Sequence, residues 1–166
     1  MSKISVLMSV YKKENPEYLR ASLESILVQT RTADEILLIE DGPLTQELYQ
    51  VVAEYQKKCD YLHVHAMEQN VQLGRALAKG VELCKYDLIA RMDTDDIAMP
   101  DRLEKEEAYM EAHPEVDVVG GAIREFNDEG TIDRVKNMPK TQEEILEYVK
   151  VRNPLNHMTV MYRKDS

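Results

Sequence analysis

The stretch YDLIARMDTDDIAMPDRL, residues 86–103, places Asp93, Asp95 and Asp96 within four residues, directly after an apolar run. Carboxylates this close repel one another, and one is pushed toward protonation unless something compensates. A hard divalent cation does so. Mg2+ and Mn2+ prefer oxygen ligands and often take one or two carboxylates, with phosphate oxygens and water filling the remaining positions. The alternative is a solvated turn that also caps the helix starting near Pro100, because Asp suits helix N-termini. The position just after a strand-like run favours the metal reading.

Other residues offer compatible chemistry. In IEDG, Asp41 stands before Gly42, either as a routine turn or as a carboxylate accepting a hydrogen bond from the ring N–H of a base. Ser9, Val10 and Tyr11 close the first apolar run; a hydroxyl and an aromatic face there can meet a base, or Tyr11 can sit at the rim of the core. His157 in NPLNHMTVM is read either as a structural residue or as a group that contacts phosphate, binds the metal or positions an acceptor. His63 and His65 alternate along one segment and are read as structural. Cys59 and Cys84 are far apart, lack a CxxC partner, and read as reduced, half-buried thiols.

These groups need a scaffold, and the sequence patterning supplies one. KISVLMSVY, DEILLIEDG, YLHVHAM and DLIARM read as strands. Between them, KKENPEYLRASLESILVQT, LTQELYQVVAEYQKK and NVQLGRALAKGVELCK read as helices. The first has Pro16 in its opening turn and Leu19, Leu23, Ile26 and Leu27 on one face. The second starts near Asp41 or Thr45, and the third opens at Asn70 and Gly74. A further helix, PDRLEKEEAYMEAH, follows the aspartates. Such alternation predicts an α/β fold: a Rossmann-like open, mostly parallel sheet with helices on both faces. After Pro114 the pattern changes. VDVVGGAIREF reads as a strand with a Gly-Gly break, NDEG as a turn, TIDRVKN as a hairpin partner, and TQEEILEYVK as a helix with a Thr141/Glu144 capping box. A last strand is expected from Thr159 to Tyr162, giving an antiparallel section near the C-terminus. Ligands of open α/β sheets bind outside the carboxyl ends of the strands. The segments Ser9–Tyr11, Glu40–Gly42 and Met92–Asp96 should therefore meet at one edge.

The totals set bounds. With 166 residues, 43% apolar, the chain suits one globular domain spanning 1–166. The net charge of −10 disfavours nucleic-acid binding through a broad basic surface. No run has the apolar length needed to cross a bilayer, and the N-terminus does not resemble a signal peptide. A cytoplasmic location is expected, with peripheral association at the inner face of the membrane left open.

Four separated blocks, ISVLMSVYKKENPEYLRASLESILVQT, EILLIEDGP, NVQLGRALAKGVELCKYDLIARMDTDDIAMPDRLEKE and NPLNHMTVMYRK, together closely resemble the family 2 glycosyltransferases of the GT-A fold, in particular bacterial members that build surface polysaccharides. The resemblance implies a nucleotide-diphospho-sugar donor, with a preference for uridine, and a divalent metal, Mn2+ or Mg2+. It implies donor contacts by Ser9, Val10 and Tyr11, which match the segment packing against the base, and by Asp41, which matches the carboxylate reading the base. Asn70, Gly74 and Arg75 match the Asn-x-Gly-x-x-x-Ala block, with Arg75 as a charge partner near the donor. Arg91 matches the residue before the acidic motif. Asp93 and Asp95 match its DxD pair, with Asp96 beside them; Asp95 is the first choice for the metal, then Asp93. His157 matches an Asn-Pro-x-x-His segment near the acceptor side.

The activity so implied is inverting transfer of a sugar to a hydroxyl acceptor, a glycan or lipid-linked sugar, in polysaccharide or cell-surface glycan synthesis. Such transfer needs a general base, and in the resembling family it follows the strand that HMTVMYRK begins. The late acidic residues Asp128, Glu129, Asp133, Glu143, Glu144 and Glu147 do not match it. The base is therefore expected beyond Ser166, in a domain incomplete at its C-terminus, whose uncovered apolar surface would favour homo-oligomers. Two alternatives stand beside this reading. One is a nucleotide-sugar-binding module without turnover. The other is a sugar nucleotidyltransferase, disfavoured because the loop KKENPEYL carries no glycine.

Overall fold

The computed structural model describes residues 2–127 and 130–165. Four parallel strands form its centre: β1 (Ile4–Val10), β2 (Glu35–Glu40), β3 (Leu62–Ala66) and β4 (Leu88–Arg91). They alternate with α1 (Pro16–Leu27), α2 (Gln46–Lys58) and α3 (Leu73–Leu83). After β4 come α4 (Arg102–Ala112), β5 (Val118–Val119), β6 (Ile123–Phe126), β7 (Ile132–Lys136), α5 (Gln142–Tyr148), a 3-10 turn at His157–Thr159, and β8 (Met161–Arg163). The main sheet has the order β3-β2-β1-β4-β8-β5, with β8 antiparallel to both β4 and β5.

The period-2 alternation of strand side chains divides the core. Ile4, Val6, Met8 and Val10 face one side with Leu19, Leu23 and Ile26 of α1, Leu48, Val51 and Val52 of α2, and Leu103 and Met110 of α4. Leu7, Leu37, Ile39 and Ile89 face the other side, where Ala76 and Leu77 of α3 cover them. Helices therefore lie on both faces, as the strand-helix alternation implies. Local chemistry sets the helix starts. Asn15 caps α1 by accepting from Glu17 N at 2.9 Å, with Pro16 at the first helical position. Thr45 rather than Asp41 caps α2. The capping box of α5 forms between Thr141 and Glu144.

Three boundaries differ from expectation. Helix α3 begins at Leu73, not at Asn70, because the Asn70 amide is held by Asp41. The final strand begins at Met161: Thr159 N bonds to Asn156 O at 2.9 Å and closes the 3-10 turn first. VDVVGGAIREF splits into β5 and β6, which belong to different sheets; β6 pairs only with β7 as an antiparallel hairpin. The turn expected at NDEG includes Asp128 and Glu129, which lie outside the described residues.

Candidate functional site

The carboxyl ends of β1, β2 and β4 open onto one cavity of ≈ 380 Å³, lined by Ser9, Tyr11, Glu14, Asp41, Asn70, Gln72, Leu73, Asp93, Thr94 and Asp95. Segments from four parts of the chain thus converge, as the rule for open α/β sheets requires.

At the β2 end, Asp41 is fixed in place. Its backbone N–H donates to Val10 O at 2.8 Å. Its Oδ1 accepts from Val71 N at 2.6 Å and its Oδ2 from Asn70 Nδ2 at 2.9 Å. Each oxygen keeps a lone pair for a ligand donor. Gly42 makes the approach of these two loops possible. It sits at φ +83, and a Cβ there would lie 2.5 Å from Asn70 N, a backbone atom that cannot move aside. The glycine of IEDG therefore serves close approach as well as turning.

At the β4 end, the acidic segment is splinted by two serines of α1 and by Gln29, just past its C-terminus. Ser22 donates its hydroxyl to Asp93 O at 2.7 Å. Ser25 accepts from Ala98 N at 3.0 Å. Gln29 donates to Met99 O at 2.7 Å and accepts from Leu103 N at 3.1 Å. All three are buried. Thr94 donates to Glu14 Oε2 at 2.6 Å and also contacts Ser9 O at 3.3 Å, which ties the segment to β1 and its following loop.

Ligand oxygens of Asp93, Asp95 and Asp96 all lie within 4.8 Å of one another. Burial, with the charges of Asp93 and Asp95 added, raises the Asp96 pKa to about 6; Arg91 and Arg102 oppose the shift. An all-oxygen donor set that holds unfavourable negative charge fits a hard divalent cation.

Beneath this cluster the Arg91 guanidinium is 2% exposed. Its Nη2 stands 2.5 Å from Asp93 Oδ1. The contact is an ion pair by distance, but it lacks hydrogen-bond alignment, so all three guanidinium nitrogens are buried without a hydrogen-bond acceptor among the described residues. Arg102 supports the strand end by donating to Arg91 O at 2.8 Å and to Glu106 Oε1 at 3.0 Å. Partial burial and the Arg91 charge lower the His157 pKa, while Asp93 raises it.

Of the residues anticipated from sequence, Ser9, Tyr11, Asp41, Asn70, Asp93 and Asp95 line the cavity. Asp96 adjoins it through the carboxylate cluster. Arg91, paired with Asp93, and His157, which is exposed, do not line it. Val10 points away: alternation from Ser9 turns its side chain, 1% exposed, into the core. Arg75 is exposed on α3, outside the lining, with no polar partner among the described residues. Gly74 has open space where a Cβ would stand. The Asn-x-Gly-x-x-x-Ala spacing, counted from Asn70, falls instead on Gln72 and Ala76, and it is Gln72 that has a positive φ, 73. The sequence reading does not single out Glu14, Gln72 or Leu73, and it includes Thr94 only as part of the Met92–Asp96 segment expected at this edge. The available signal for the splint is the pair Ser22 and Ser25 on the apolar face of α1, with Gln29 continuing the same spacing just past the helix end.

Comparison with known proteins agrees with this geometry. The model of the family described as Glycosyl transferase family 2 matches residues 5–166. The chain is similar to the amylovoran biosynthesis glycosyltransferase AmsE of Erwinia amylovora, with 45% identity over 97% of this chain and 60% of that protein. It is also similar to the UDP-Gal:alpha-D-GlcNAc-diphosphoundecaprenol beta-1,3-galactosyltransferase of Escherichia coli, with 35% identity over 98% of this chain and 58% of that protein. The chain thus spans about 60% of the length of these relatives. In fold it matches S. aureus TarS 1-349 in complex with UDP-GlcNAc, with a TM-score of 0.74 and 21% identity over 98% of this chain and 45% of that one.

Proposed function

The chain belongs to glycosyltransferase family 2, and from that premise we propose that its cavity binds a UDP-linked sugar together with Mn2+ or Mg2+, for inverting transfer to a hydroxyl acceptor in polysaccharide or cell-surface glycan synthesis. The observation that carries this reading is the single cavity onto which Asp41, Asn70, Asp93 and Asp95 all open. The printed activity of the Escherichia coli relative, transfer from UDP-Gal to a diphosphoundecaprenol-linked sugar, supports the donor class and a lipid-linked acceptor.

The residues divide the work by chemistry. Asp41, held by Asn70 and Val71, accepts from the N–H of the uracil ring. Tyr11, 44% exposed, offers its face to the base. Asp95 and Asp93 hold the cation, and Asp96 adds charge beside them. Held by these carboxylates, a divalent cation would supply charge stabilisation to the departing nucleoside diphosphate. Arg91 places a positive charge against Asp93 and orients that carboxylate. We assign the acceptor-activating base to the part of the relatives that this chain does not span: Glu143, Glu144 and Glu147 do not line the cavity, and Glu14, which does, is engaged by the Thr94 hydroxyl. The chain would then act at the cytoplasmic face of the membrane. No described helix is long and apolar enough to cross a membrane.

A thermal-shift screen of nucleoside diphosphates with and without Mn2+ tests the proposal. Stabilisation by UDP that requires Mn2+, and its loss in Asp95→Ala, is the expected outcome. An Asp95→Ala protein that responds as the parent does removes the metal assignment. Assay of sugar transfer from UDP-sugars, alongside binding, separates an enzyme from a module that binds donor without turnover.

A further inference from the structure

Gln72 is in a conformation that side chains rarely adopt. Its φ of 73 and ψ of 152 lie close to the region occupied almost only by glycine. Among the described residues it is the only non-glycine with positive φ. Its carbonyl accepts from Arg75 N and Ala76 N at 3.1 Å, bonds that any residue would make there, and its side chain makes no cap bond to α3. A glycine would adopt this conformation without strain. What glycine cannot supply is a side chain, and Gln72 is among the residues that line the cavity. Its neighbours in sequence fix which end: Asn70 and Val71 both bond to the Asp41 carboxylate. The strain therefore sits beside the Asp41 carboxylate.

We infer that Gln72 is a specificity-determining residue for the nucleoside part of the donor, donating its side-chain amide to a carbonyl oxygen of the base whose ring N–H faces Asp41. This inference rests on the donor-site reading above. A uracil edge presents a ring N–H flanked by carbonyl oxygens. A carboxylate acceptor beside an amide donor complements that edge. The amide carries two N–H groups, so one bonds to the base and the other remains for solvent or the cavity wall. The backbone strain at Gln72 is offset when the ligand is bound.

Two substitutions separate strain from recognition, measured by calorimetric titration with UDP in the presence of Mn2+ and by thermal unfolding without ligand. Gln72→Gly relieves the backbone and removes the amide. Its melting temperature should rise by about 2–4 °C, while UDP affinity falls roughly 3–10-fold, the range of one neutral hydrogen bond. Gln72→Met keeps the length and the strained backbone but not the donor; its affinity should fall by the same factor with no rise in melting temperature. A Gln72→Met protein that binds UDP as tightly as the parent overturns the inference. So does a Gln72→Gly protein that gains stability and keeps parental affinity. A parent that binds no UDP overturns the donor-site reading itself, and this inference with it, even if Gln72→Gly is stabilised.

Discussion

Replacing Asp96 by Asn removes one negative charge from the acidic cluster while preserving its shape. In the free protein the Asp96 pKa is raised from 3.8 to about 6. An acid with a raised folded-state pKa favours the native state while it is protonated, so its stabilising contribution is present at low pH and is lost as pH climbs from about 4 to about 6. At ~1.4 kcal/mol for each tenfold change in proton affinity, Asp96 destabilises the metal-free protein at pH 7 by about 3 kcal/mol at most, because solvent still reaches part of the side chain. Asp96→Asn should therefore melt higher than the parent at pH 7. The gain is up to about 6–12 °C, taking ~2–4 °C per kcal/mol for a chain of this size. The two should converge near pH 4. Thermal unfolding from pH 4 to 7.5 in the presence of a chelator measures this directly, and the difference between parent and variant isolates residue 96 from other carboxylates. Saturating Mn2+ should narrow the gap at pH 7, since a cation stabilises the charged parent cluster more than the variant. A difference that stays constant across this pH range, or a variant less stable at pH 7, would refute the electrostatic reasoning.

Gly42→Ala should lower the melting temperature and weaken UDP binding more than tenfold, because the new Cβ would lie 2.5 Å from Asn70 N and must displace the loop that holds Asp41; titration calorimetry reads it. Arg91→Met should leave metal-free stability unchanged or raised, since the lost guanidinium has no aligned acceptor and a buried charge of that kind is replaceable by an apolar side chain. The same variant should bind UDP and Mn2+ more weakly, and a melting temperature lowered by about 10 °C would instead show the Asp93 ion pair to dominate. Arg31→Ala should destabilise by about 3–5 kcal/mol, because Arg31 Nε stands 3.0 Å from a Glu107 side chain that is only 5% exposed; urea unfolding measures it.

The order of elements was legible because the apolar runs of β1, β2 and β4 are short and nearly continuous, and the helices between them carry clear apolar faces. The meeting of Asp41 with Asp93 and Asp95 followed from topology alone, since parallel strands deliver their carboxyl ends to one edge. Contacts made across sequence distance were not legible. Nothing local to Asn70 says that its amide bonds to Asp41: the pattern alone makes it a helix opening, and only the family resemblance brings it to the donor site. Gln72 is not legible because a side chain at positive φ leaves no compositional mark, whereas the nearby Gly74 carries the signal that glycine usually gives. Val10 was grouped with Ser9 and Tyr11 although strand alternation alone turns it to the core. The polar residues Ser22, Ser25 and Gln29 look like interruptions of an apolar face until the acidic segment is packed against them.

The joint binding of UDP and Mn2+ tests the account most directly. Calorimetric titration of UDP at zero and saturating Mn2+, and of Mn2+ at zero and saturating UDP, should show each ligand tightening the other by the same factor, as linkage requires. That factor should be tenfold or more in the parent and close to one in Asp95→Ala. Equal UDP affinity with and without Mn2+ in the parent would contradict the claim that the ends of β2 and β4 serve one ligand.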